Sequence, residues 1–108
     1  MAANIYIYVP DHEDGPSRDD LEDEIEDFFQ GAAHDCGAGA GESGFNLDYE
    51  FAKGTDPHAW VERLKAFLVN VGVQPGTRFD VFSDGWEPGV EWRSVEVFGE
   101  DRRRVDPP

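Results

Sequence analysis

Phe45-Asn46-Leu47-Asp48-Tyr49-Glu50-Phe51 decides how this chain is read. Phe45, Leu47, Tyr49 and Phe51 alternate with Asn46, Asp48 and Glu50. A period of two places four apolar side chains on one face of a strand and three polar ones on the other. The segment therefore predicts a strand packed on a core on one side and wet on the other. The chain on either side must supply helices or a second sheet to cover the apolar face.

Downstream, Asp56-Pro57 combines a capping carboxylate with proline at the first helical position, which predicts a helix start. Trp60, Leu64, Phe67, Leu68 and Val71 follow at helical spacing, and Gly72 is the expected left-handed C-cap. Arg78–Phe82 reads as a strand, Ser83–Gly89 as a turn-rich connection and Val90–Phe98 as a last strand. Residues 100–108 read as a polar, flexible tail that carries Arg102, Arg103 and Arg104. Residues 1–99 then form a single α+β domain.

Upstream, Gly31–Gly44 is rich in glycine. It is read as a short weak strand near Ala33–Gly37, a glycine turn and a return into the strand described above. A pure loop is the alternative, leaving four strands. Before it, Leu21, Ile25, Phe28 and Phe29 fall at i, i+4, i+7 and i+8 and predict a helix from about Ser17 to Gln30. Ser17 is its expected N-cap, and Asp19 and Asp20 sit where the helix dipole favours acids. Asn4–Val9 is a strand with apolar side chains on both faces, hence an interior one. The order strand, helix, strand, strand, helix, strand is that of a ferredoxin-like split βαβ sandwich. The expected class is α+β, with two helices on one face of a mainly antiparallel sheet and an extra C-terminal strand.

Charge is the second signal. The chain has 24 acidic residues against nine Lys and Arg, a net charge of −15. Residues 1–50 hold fourteen of the acids and one Arg. A field this one-sided steers cationic partners and repels nucleic acid and anionic lipid. The first helix alone carries Asp19, Asp20, Glu22, Asp23, Glu24, Glu26 and Asp27 against Arg18. Asp20 with Glu24, Glu22 with Glu26 and Asp23 with Asp27 are like-charge i, i+4 pairs, each costing a few tenths of a kcal/mol. Accepting that repulsion without interleaved lysines points to use as a docking surface. Asp11, Glu13 and Asp14 in the preceding loop extend the patch. The competing explanation is solubility or salt adaptation, which would spread acids evenly.

Trp86, in a Gly-Trp-Glu-Pro-Gly turn, is a candidate interface anchor. Asp11, Glu13, Asp14, Asp19, Asp20, Glu22, Asp23, Glu26, Asp27 and Trp86 are thus the candidate partner-binding residues. Asn46, Asp48 and Glu50 form a separate acidic set on the strand's wet face.

Other chemistry finds little support. The glycines between Gly37 and Gly44 follow no strand-to-helix pattern and lack Lys-Ser or Lys-Thr, so they read as a turn rather than a phosphate loop. His34, Asp35 and Cys36 are contiguous, and His12 and His58 are isolated, which is not metal-ligand spacing. Asp11, Glu13 and Asp14 lack a twelve-residue calcium loop. No catalytic residue, metal or cofactor is expected. No run of about eighteen apolar residues exists, so no membrane span is expected, nor is a signal peptide. Cys36 is the only cysteine, compatible with a reducing cytoplasm.

In outline, nearly the whole chain resembles small bacterial immunity-type domains, which are acidic single-domain α+β proteins that neutralise a toxin by binding it. The resemblance rests on size, on the acidic helix after a first strand, and on the glycine-rich segment ending in Gly44-Phe45-Asn46-Leu47-Asp48-Tyr49-Glu50-Phe51. It implies a cytoplasmic, non-enzymatic protein that docks on a basic partner such as a nuclease and binds neither nucleic acid nor membrane directly. An acidic DNA mimic directed at a nucleic-acid-binding protein is the alternative. A small hydrolytic or metal-dependent enzyme is a third.

Overall fold

The alternation of Phe45–Phe51 is realised as strand β3 (Gly44–Phe51), in which Leu47, Tyr49 and Phe51 are buried. The structure is a computed structural model and describes residues 3–11, 15–41 and 43–106. It also contains β1 (Asn4–Pro10), α1 (Arg18–Phe29), β2 (Ala33–Gly41), α2 (Val61–Val71), β4 (Arg78–Phe82), β5 (Glu91–Glu96) and β6 (Asp101–Val105). The class is α+β, with one antiparallel six-stranded sheet in the order β2-β3-β1-β4-β5-β6. β1 lies inside the sheet between β3 and β4, as its two apolar faces require.

α1 begins and α2 ends on the residues their sequence singles out. The Ser17 hydroxyl accepts from the Asp20 amide at 3.3 Å, satisfying one orphan donor of α1. The Asp56 carboxylate accepts from the His58 amide at 3.0 Å, but the turn it caps is a 3-10 turn, Pro57–Trp60, that runs into α2. Gly72, at φ 87°, closes α2 in the left-handed conformation. Gln30 plays that part for α1 at φ 48°.

One core joins the layers. Ile5, Ile7 and Val9 of β1, Leu21, Ile25 and Phe29 of α1, and Val61, Leu64 and Leu68 of α2 are buried together with Phe79, Val81 and Val95. Phe28 of α1 stacks on Phe67 of α2 at 4.5 Å between ring centroids, so the helices lie side by side on one face of the sheet. Phe29 reaches the sheet itself, 5.4 Å from both Tyr49 and Phe51. Of the expected core, Phe28, Phe45, Trp60 and Phe67 are half-buried at its margin, and Val61 takes a fully buried place that the helical stripe did not assign.

Two segments depart from expectation. The glycine-rich stretch is a strand of nine residues, paired along β3 with a bulge between Asp35 and Gly37. Its pairing continues to Gly44, where φ is 144° and a Cβ would stand 2.2 Å from the Val9 carbonyl oxygen, so only glycine fits. The expected flexible tail contains β6, in register with β5. Composition reads Asp101-Arg102-Arg103-Arg104 as coil, but opposite β5 its charges find partners: Arg93 bridges Asp101, and Arg103 meets Glu91 at 3.2 Å.

Candidate functional site

At 100° per residue, Leu21, Ile25 and Phe29 point into the core, and the pole of α1 opposite them falls at Asp20, Asp23 and Asp27. Those three are exposed, as are Asp19, Glu24 and Glu26. Glu22 lies at the border of the apolar stripe and is half-buried. Only Arg18 offers a counter-charge on this helix, 3.8 Å from Asp19, and both side chains are exposed. The result is a solvent-facing acidic ridge with its neutralisation confined to one end.

Two further acids join it from elsewhere in the sequence. Asp11, held after β1 by a hydrogen bond from its backbone N–H to the Ser43 carbonyl at 3.0 Å, shares a surface depression of about 400 Å³ with Arg18 and Asp19. Asp35 of β2 lies near Glu22, and partial burial followed by this neighbouring charge raises the Glu22 carboxyl above its ordinary range. The buried Tyr49 phenol faces the same acids. Burial first, then Asp35, Glu22 and Glu26, push it upward, which keeps it protonated. Glu13 and Asp14, assigned to the patch from sequence, lie outside the described residues, as do His12 and Glu42.

Trp86 is not part of this ridge. It is half-buried, its indole donates to the Val90 carbonyl at 3.1 Å, and its ring packs on Phe82 at 5.1 Å. Phe82 is in register with Asn4 of β1, on the face away from Ile5 and Ile7. Trp86 therefore belongs to the opposite side of the sheet from α1. The residues there alternate with the core positions: Asn4, Tyr6 and Tyr8 of β1; Asn46, Asp48 and Glu50 of β3; Arg78, Asp80 and Phe82 of β4; Trp92 and Ser94 of β5. No helix covers this face among the described residues. Asn46, Asp48 and Glu50 were placed here by their alternation. Asp80 was not singled out, although Phe79 and Val81 on either side of it carry the same signal. Burial raises its carboxyl, opposed by Ser94 and by Arg78 at 3.6 Å.

Among the described residues no group of three His, Cys, Asp or Glu side chains could hold a metal ion. Cys36 sits at the bulge of β2, its thiol donating to the Asp48 carbonyl at 3.5 Å. Packing of the sulfur against β3, followed by the charge of Asp48, pushes the thiol up to about 11, far from a nucleophile's range. His58 hydrogen-bonds Ser83 at 2.9 Å, and burial holds its imidazole below its ordinary pKa. No described helix is long and apolar enough to cross a membrane. No protein-family model matches the chain, and no curated protein or solved structure is significantly similar to it.

Proposed function

We propose that this chain is a non-enzymatic binding protein that docks α1 on a basic protein surface and neutralises its owner, in the manner of an immunity protein directed at a nuclease-type toxin in the cytoplasm. The observation that carries the reading is the ridge Asp20, Asp23 and Asp27, with Asp19, Glu24 and Glu26 beside it, all exposed to solvent. The apolar stripe of the same helix is spent on the core, so its outer surface is free for a partner. A nuclease channel built to hold phosphates is the surface such a ridge complements. The strand order β2-β3-β1-β4, with α1 and α2 as the two connections, supports the ferredoxin-like reading of the first six elements. β5 and β6 are then additions to that unit.

The test starts with capture of the partner from native lysate by the tagged chain. Binding rates are then compared for Asp20→Lys with Asp23→Lys and Asp27→Lys, and for Glu62→Lys with Asp84→Lys and Glu87→Lys. All six positions are exposed. The first triple should weaken binding at least about tenfold, mostly through slower association, and the wild-type rate should fall as salt rises. It should leave the melting temperature unchanged or higher, because like-charge repulsion along the helix is relieved. Equal losses from both triples would assign the effect to bulk charge and overturn the reading. A partner that binds nucleic acid without being a toxin would favour the DNA-mimic alternative.

A further inference from the structure

The uncovered face of the sheet carries an order that α1 does not explain. Asp48 of β3, Tyr6 of β1, Asp80 of β4, Ser94 of β5 and Arg102 of β6 are consecutive cross-strand partners and form one straight row. The row beside it runs from Glu50 through Asn4 and Phe82 to Trp92 and Arg104. Both rows are acidic at the β3 end and basic at the β6 end. Between the ends lie Tyr6, Asp80 and Ser94 in the first row and Asn4, Phe82 and Trp92 in the second. Four inter-strand steps separate the ends, about 19 Å. Phe82 stacks on Trp92 at 5.0 Å, and the guanidinium of Arg104 lies 6.0 Å from the Trp92 ring.

A surface with opposite charges at its two ends, in the same rows, is complementary to itself after a half-turn. An axis parallel to the strands and passing over β4 carries each row onto its own reverse. We propose that two copies of this chain pair face to face through the uncovered sheet, Arg102 and Arg104 of one protomer lying over the partner's Asp48 and the partner's Glu50. The interface is isologous, the form most dimers take. Phe82 and Trp92 fill its middle. Near the axis Asp80 is accompanied by Arg78 of its own chain at 3.6 Å, so the centre is not a bare pair of carboxylates.

Three polar atoms buried on or under this face lack a hydrogen-bond partner among the described residues: Asn4 Oδ1, Asp80 Oδ1 and Trp92 Nε1. Buried groups without a partner are uncommon in folded proteins. Nucleic acid is a poor occupant, since Asp48, Glu50, Asp80 and Glu96 all lie here and the chain's net charge is −15. That net charge does not forbid a second copy. The acidic ridge is on the far side of the helix layer. With layers about 10 Å apart, the two ridges would stand about 30 Å from each other. Salt screens charges beyond about 8 Å at physiological ionic strength. The inference does not depend on what α1 binds.

Six strands at about 4.8 Å spacing make a face about 24 Å wide. With strands about 20 Å long, the patch is about 500 Å², below the roughly 800 Å² per partner of a standard interface. The dimer is therefore weak and concentration-dependent. Sedimentation equilibrium of the wild type should show dimer appearing between about 10 µM and about 500 µM, a window that suits an interface of sub-standard size. Arg102→Glu with Arg104→Glu, and separately Asp48→Lys with Glu50→Lys, should each weaken self-association at least about tenfold. An equimolar mixture of the two variants should associate again, because each now supplies the charge the other lacks.

Circular dichroism and a melt establish that both variants fold. A readout on the wild type alone keeps the test decisive if they do not. The Trp92 indole N–H resonance should shift with protein concentration, and the amides of α1 should not. A wild type that stays monomeric at the highest concentration overturns the proposal, leaving the face to a different protein. So does undiminished self-association in either folded variant, or a mixture that remains monomeric.

Discussion

Replacing Phe29 by alanine tests the joint between the acidic helix and the sheet. Phe29 is 1% exposed, and its ring lies 5.4 Å from Tyr49, Phe51 and Trp60 and 5.3 Å from Phe28. It is the point where α1 meets β3 and the turn before α2. Phe→Ala in such a site removes the transfer energy of the ring and leaves a cavity, together about 3–5 kcal/mol. Alanine is the better helix former by a few tenths, so helix propensity works against the loss rather than for it. A domain of this length has about 5–15 kcal/mol in all. The substitution should therefore remove a large share of the stability and lower the melting temperature by about 15–30 °C. Urea unfolding measures it, with the slope unchanged if the denatured state is unaffected. Phe98→Ala is the control: Phe98 is 54% exposed and should change stability by less than about 0.5 kcal/mol. A loss below about 1 kcal/mol at Phe29, or equal losses at the two positions, would refute the packing of α1 on β3.

Asp80 makes a signed prediction, because burial holds its carboxyl above the ordinary value. The folded state then binds its proton more tightly than the unfolded chain, so this group's contribution to stability falls as pH rises through the folded-state pKa. Relative to wild type, Asp80→Asn should gain stability as pH rises above the ordinary carboxylate value of about 4, read from urea midpoints. A relative loss over that range would mean that Arg78 outweighs burial. Cys36, pushed up to about 11 by packing and by Asp48, should react with a thiol reagent about tenfold more slowly in the folded protein than in urea, because the scarcer thiolate is partly offset by its higher nucleophilicity. Equal rates in the two states would show that the thiol does not keep its contact with β3.

Where the chain repeats a local period, its structure was readable. The alternation of Phe45–Phe51 specified β3 and its buried face, and Leu21, Ile25 and Phe29 specified the inner side of α1 and hence its acidic outer side. Ser17, Asp56 and Gly72 marked helix ends because a cap is satisfied by neighbours two to four residues away. The candidate ridge was legible for the same reason: which side of a helix is wet follows from which side is apolar.

Other features depend on pairing between distant segments. Asp101–Val105 carries no apolar period, and it becomes a strand because β5 offers an edge and oppositely charged partners. The glycine-rich segment is extended because β3 holds it in register, not through its own propensity. Trp86 looked like an exposed anchor, and its packing on Phe82 is set by where β4 leads the chain. The acid-to-arginine rows join residues 48, 6, 80, 94 and 102, an order that exists only across the sheet. Periodicity tells each segment which of its sides is apolar. It does not say which strands lie side by side or in what register, because those are fixed by burying all the apolar sides in one shared core.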